Sequence, residues 1–168
     1  MILSVHAVFG AAVASLVPAH PVEAFALGFV SHIVLDSVPH RDYDLISLQD
    51  DLDNKPAILN VVIKKFRLIR DGLLVSLDAT VGILLAFLFF FDLAHPFIFL
   101  IGALASYIPD FLTFLFFVTK NKFLGYFYRF HTGFFHPKIK VNQVLGVLIQ
   151  YCIVIILATV ILQLKSLF

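Results

Sequence analysis

The sequence predicts an all-α integral membrane protein of about five spanning helices, built on a duplicated helical hairpin with an added amphipathic interfacial helix. Three observations carry that expectation. Hydrophobic residues make up 61% of the chain, charged residues only 14%, and mean hydropathy is +0.99. A water-soluble domain is nearer to about half apolar and a quarter charged. The apolar residues fall into runs near spanning length, and eleven of the twelve Lys and Arg residues fall in loops on one side of them. The positive-inside rule makes that side cytoplasmic, so the chain is expected in the cell (inner) membrane with a cytoplasmic N-terminus and its C-terminus opposite.

Taken in order, the chain reads as a single membrane domain over residues 1–168. Repeat one covers 1–38. Its first span, Ile2 to Val17, has no Lys or Arg ahead of its apolar core and holds His6, which fits a retained span better than a secretory leader. Pro18 to Pro21 make a turn, and the second span runs from Val22 to Val38. An interfacial connector covers 39–72, where Pro56 lies in the first turn of a helix. Leu59, Val62, Phe66 and Ile69 recur there at helical spacing among Lys64, Lys65, Arg67 and Arg70, the pattern of a helix lying at the headgroup level. Repeat two covers 73–118, an interfacial loop of mixed basic and aromatic residues covers 119–140, and the last span covers 141–164.

The two halves echo each other. His6-x3-Gly10, Ala19-His20-Pro21 and Gly28-x7-Asp36 are succeeded by Asp78-x3-Gly82, Ala94-His95-Pro96 and Gly102-x7-Asp110. Each half holds an even number of spans, so both enter the membrane from the same side. The expected architecture is two hairpins about an axis along the membrane normal, with Gly10 on Gly82 and Asp36 on Asp110. His20 and His95 fall at the opposite face and read as turn or interface residues rather than ligands.

Ionisable groups inside a bilayer are costly and mark functional sites. The topology brings His6, His32, Asp36, Asp78, Asp110, His131 and His136 to the cytoplasmic side. His32 and Asp36 lie four apart, one turn from each other on one helix face. Clustered carboxylates repel unless a cation joins them. The expectation is therefore a divalent metal bound by members of this pool. Mixed imidazole and carboxylate donors suit zinc first, with manganese or iron as further options. His40 and Asp42 are candidate catalytic acid or base groups. Arg41 and Arg129 are candidate anchors for a phosphate, Arg129 among the aromatic residues 126–128. A hydrogen-bonded polar network is the plainer alternative. Cys152 stands alone in an apolar run and implies no disulfide.

The early His6, the Pro109-Asp110 pair and the His131-x4-His136 spacing resemble the bacterial family of predicted membrane-bound metal-dependent hydrolases, itself distantly similar to zinc-dependent phospholipases C. His32-x3-Asp36 resembles the ligand pair of those phospholipases. The segment S-H-x-x-x-D-x-x-P-H-x-D from Ser31 is also similar to one in small bacterial membrane proteins. The chain departs from the hydrolase pattern where Phe111, Leu112 and Thr113 come after Asp110, and where Thr132 comes after His131. The resemblance implies a membrane-embedded hydrolase acting on a lipid-borne ester or phosphoester at the cytoplasmic face. A metal or proton carrier, a transporter subunit and a non-catalytic scaffold are the alternatives from other classes. Membrane lipids are the expected partners. A net charge of +1 with no nucleic-acid motif gives no reason to expect nucleic acid, and oligomeric state is left open.

Overall fold

The computed structural model describes residues 1–40, 42–48, 57–134 and 142–165; Arg41 and His136 lie outside them. Among the described residues all regular secondary structure is helical. The chain forms α1 (Leu3–Ala14), α2 (Pro21–Asp36), a short 3₁₀ turn (Ile46–Leu48), α3 (Ala57–Phe90), α4 (Ile98–Thr119), α5 (Lys122–Phe134) and α6 (Gln143–Lys165).

Local chemistry explains most boundaries. Pro21 opens α2 with its φ already helical and no N–H to leave unpaired. Ser37 closes it just ahead of Pro39, which cannot continue a helix easily. Lys120 takes a left-handed conformation (φ 53°) and turns the chain out of α4, its N–H on the Phe116 carbonyl at 2.8 Å. Asn121 and Asn142 cap α5 and α6: their Oδ1 atoms accept from the N–H of Phe123 at 2.9 Å and of Val144 at 3.0 Å.

α1 is apolar on nearly every side, and such a helix belongs in the interior. It is buried along almost its whole length and packs against α2, α3, α4 and α6. Glycines set how closely it is held. A Cβ on Gly10 would lie 2.5 Å from the Gly102 carbonyl oxygen, and one on Gly28 would collide with the same oxygen. α1, α2 and α4 therefore cross almost backbone to backbone, a small-residue crossing of the kind that holds helices together in lipid.

Among the described residues, three helices are long and apolar enough to cross a membrane: Ile63–Phe90 within α3, Ile98–Thr119, and Val144–Lys165. α1 and α2, with 12 and 16 residues, fall short of the about 20 that a bilayer core asks for. Of the five spans expected, three are helices of full length among the described residues. The expected break between connector helix and third span is also absent, since α3 runs 34 residues without interruption. Nothing there would break it, because a single Gly72 costs a helix only about 1 kcal/mol and no proline intervenes. At 1.5 Å per residue α3 is about 50 Å long, well beyond the hydrocarbon thickness. Finally, within the stretch expected as an interfacial loop, Lys122–Phe134 form the helix α5.

The two hairpins are not related by the expected axis. A two-fold would make the contact of α1 with α4 equivalent to that of α2 with α3. α1 packs along α4, whereas α2 and α3 form no extensive pair. Gly10 faces Gly102, whereas a Cβ on Gly82 would meet Ser4 Cα at 2.6 Å. The sequence echo is not a symmetry of the packing.

Candidate metal centre

The start of α1, the end of α2, the later half of α4 and the end of α5 meet at one end of the bundle. Asp36 is the hub. Its Oδ2 lies 2.9 Å from His131 Nε2 and 3.1 Å from His32 Nε2. His32 Nε2 is 3.1 Å from His131 Nε2 and 3.6 Å from Asp110 Oδ1. One ligand atom from each of His32, Asp36, Asp110 and His131 lies within 4.8 Å of every other. His32 and Asp36 are fully buried, and Asp110 is partly open.

The tautomer of His32 is set by its outer contact. Nδ1 is 2.7 Å from the carbonyl of Ser106, which can only accept, so Nδ1 carries the proton. In the neutral ring Nε2 then turns a lone pair toward two carboxylates and a second imidazole. That arrangement needs a proton or a cation at its centre. The protein holds Ser106 for this purpose on α4, one helical turn from Asp110 and close to Pro109, which supplies no N–H to the helix ladder. A carbonyl-anchored Nδ1–H is the usual outer support of a metal-bound histidine. His131 has a comparable support, its Nδ1 lying 3.3 Å from Thr113 Oγ1.

The donor set fits a divalent cation. Two imidazoles and two carboxylates are zinc-type ligands. Zinc bonds of about 2.0–2.1 Å put tetrahedral ligands about 3.3 Å apart, and the close separations here span 2.9 to 3.6 Å.

Other residues of the expected pool sort differently. His6 joins the cluster: its ring stacks on His32 with centroids 3.8 Å apart, and its Nε2 lies 3.3 Å from Asp36 Oδ1. His40 and Asp42 border it, with His40 Nε2 3.2 Å from Asp42 Oδ1 and 3.8 Å from Asp36 Oδ1. The Met1 amine sits 2.6 Å from Asp42 Oδ1 and 3.3 Å from Asp36 Oδ1. Burial works against the Asp42 charge, but the His40 ring and this amine outweigh it and hold the carboxyl below the ordinary range. Arg129 is exposed on α5. His136 and Arg41 cannot be placed, lying outside the described residues.

Asp78 does not join the group of four. Its Oδ2 accepts from the Ser4 N–H at 2.9 Å and from the Tyr43 hydroxyl. It is one of three side chains that pair the N–H groups at the start of α1. Gln150 Oε1 takes the Ile2 N–H at 3.0 Å, and the Tyr43 oxygen takes the Leu3 N–H at 2.7 Å. A buried helix start leaves such donors without intrahelical partners, and capping is the work Asp78 does. Burial and the bond to Asp78 push the Tyr43 hydroxyl above its ordinary range, so it stays a donor. Tyr43→Phe leaves Asp78 Oδ2 short of one donor and the Leu3 N–H unpaired, and should cost about 1–3 kcal/mol in detergent unfolding. Tyr126→Phe, on an exposed ring of α5, should cost nothing measurable.

Sequence reasoning missed Tyr43, Gln150, Thr113 and the Ser106 carbonyl. Tyr43 stands directly after the His40 to Asp42 motif, a usable signal. A backbone carbonyl gives none. Comparison with family models, with curated proteins and with solved structures yields no match to this chain.

Proposed function

We propose that this protein is a membrane-embedded, metal-dependent hydrolase acting on a lipid-borne ester or phosphoester at the cytoplasmic face. The observation that carries the reading is His32. Its Nδ1–H is fixed on the Ser106 carbonyl, and its buried Nε2 faces His131, Asp36 and Asp110. In this reading His32, Asp36, Asp110 and His131 hold a divalent cation, zinc before manganese or iron. When bound, such a cation supplies Lewis acidity toward an ester oxygen and a nucleophile at neutral pH.

The chain's own residues supply the rest. Asp42 is the outermost member, its side chain more than half exposed, and it is placed to exchange protons between the buried groups and water. α5 covers the site with His131 and turns Phe123, Tyr126 and Phe130 outward, alongside Arg129. Aromatic and basic residues together favour the headgroup level, where a lipid ester lies. α2 shows Val22, Phe25, Val30 and Val34 on its outside, which suits contact with lipid despite its length. With α1 and α2 counted beside the three long helices, five spans set the site on the side of the basic loops.

A reporter active only in the cytoplasm, fused after Phe168, should therefore be silent; strong signal would overturn this topology. Activity is tested with metal-stripped protein in mild detergent, returned to zinc and offered p-nitrophenyl phosphocholine, p-nitrophenyl butyrate and short-chain phosphatidylcholine. Zinc-dependent release from one of them, lost in Asp110→Asn, is expected. No release from any by fully loaded protein would sink the hydrolase reading.

A further inference from the structure

α5 turns two unlike faces in opposite directions. Inward, His131 Nε2 lies 2.9 Å from Asp36 Oδ2, its ring stacks on Phe127, and Phe127 meets Phe29 of α2. Outward, Phe123, Tyr126 and Phe130 are exposed at helical spacing, with Lys122 and Arg129 beside them. A patch of apolar rings on one side of a helix marks a contact with membrane or protein. Charge picks between the two. No Asp or Glu occurs after Asp110, whereas six Lys and Arg residues do. The connector 39–72 also holds six basic residues, but six aspartates offset them. α5 therefore presents uncompensated positive charge beside exposed rings. That surface complements an anionic leaflet, whereas a second copy would set like charges against each other.

Lys120 and Asn121 join α5 to α4, with Lys120 in the left-handed conformation. A Cβ on Gly125 would lie 3.1 Å from the Phe116 ring, and Tyr128 stacks on that ring with centroids 5.0 Å apart. These contacts seat the start and middle of α5 on α4, while its end reaches the metal centre through His131. The outer rings and the imidazole belong to one helix, so whatever holds the first sets the position of the second. We infer that the outer face of α5 docks on anionic lipid headgroups and that this docking keeps His131 in the metal centre. An anionic surface contributes about fivefold per neighbouring Lys or Arg, so Lys122 and Arg129 together should give about 25-fold. The part given to His131 rests on the metal position proposed above, whereas docking itself does not.

The test places full-length protein in nanodiscs of phosphatidylcholine alone, or of phosphatidylcholine and phosphatidylglycerol in equal parts. Hydrogen exchange of the α5 amides, read by mass spectrometry on metal-free protein, should slow by about fivefold or more in the anionic discs. Lys122→Gln combined with Arg129→Gln should erase that difference, while Lys64→Gln with Lys65→Gln, exposed on α3, should keep it. Molar salt should erase it in wild type, a check that needs no variant to fold. Cobalt affinity in the anionic discs should be about fivefold or more higher in wild type than in the α5 variant. Equal α5 exchange in the two kinds of disc would overturn docking. Slower exchange with equal cobalt affinity in wild type and variant would overturn the hold on His131. Protein that binds no cobalt in any disc would remove the metal centre and the part played by His131, while the exchange comparison still decides docking.

Discussion

Asp36→Asn should strip the protein of bound metal while leaving it folded and inserted. The substitution keeps size and most hydrogen bonding but removes the charge that faces His32, His131 and His6. Losing a mere supporting residue costs about 10–100-fold in metal affinity, so loss of the hub ligand should exceed about 100-fold. Hydrolysis, wherever it is detected in wild type, should fall with it. Asp78→Asn makes a sharp contrast. Its carboxylate caps α1 through Ser4 and bonds Tyr43, so it should weaken unfolding resistance with a far smaller effect on metal affinity. Equal loss of metal in the two variants would mean that Asp78 had been wrongly set apart.

Gly102→Ala should be the most damaging small substitution in the bundle. A Cβ there would strike the Gly10 carbonyl and the Ala14 side chain, one of them backbone that cannot swing away. Overpacking of a fitted core costs about 1–3 kcal/mol, and here α1 and α4 must part to relieve it. Parting them also moves Ser106 and Asp110, one and two turns along α4, away from His32. Metal retention should therefore drop together with stability. Gly72→Ala is the opposite case: nothing lies within 4 Å of its added Cβ. It should be neutral or slightly stabilising, since alanine favours the helix by about 1 kcal/mol. Thermal unfolding of the three proteins in one detergent, with metal content alongside, checks both.

Much of the centre could be read before any coordinates. His32 and Asp36 share a face by spacing alone, and even counts of spans bring Asp110 and His131 back to the same end. What the sequence hid was of three kinds. The support of His32 is a backbone carbonyl, and no residue type announces it. Asp78 looks like every other intramembrane carboxylate until Ser4 and Tyr43 are placed beside it. α5 mixes lysine, arginine and aromatic residues, which reads as a loop. Its inward set of Leu124, Phe127, Tyr128 and His131 nevertheless recurs at helical spacing behind the Asn121 cap. The same composition that revealed the class blurred the spans: in so apolar a chain, α1 is buried in protein and α3 runs past the membrane thickness. The expected two-fold axis is missing from the packing for a related reason. Small residues recur wherever helices must touch, so Gly10, Gly28 and Gly102 meet at one crossing without any axis relating them.

If His32, Asp36, Asp110 and His131 hold a divalent cation, elemental analysis of the wild-type protein, extracted in mild detergent without chelator, should find it. At least one equivalent of zinc, manganese or iron per chain is expected, falling below a tenth of an equivalent in Asp36→Asn. Metal-free wild-type protein that also fails to take up zinc or manganese on addition, while remaining folded, would contradict the account.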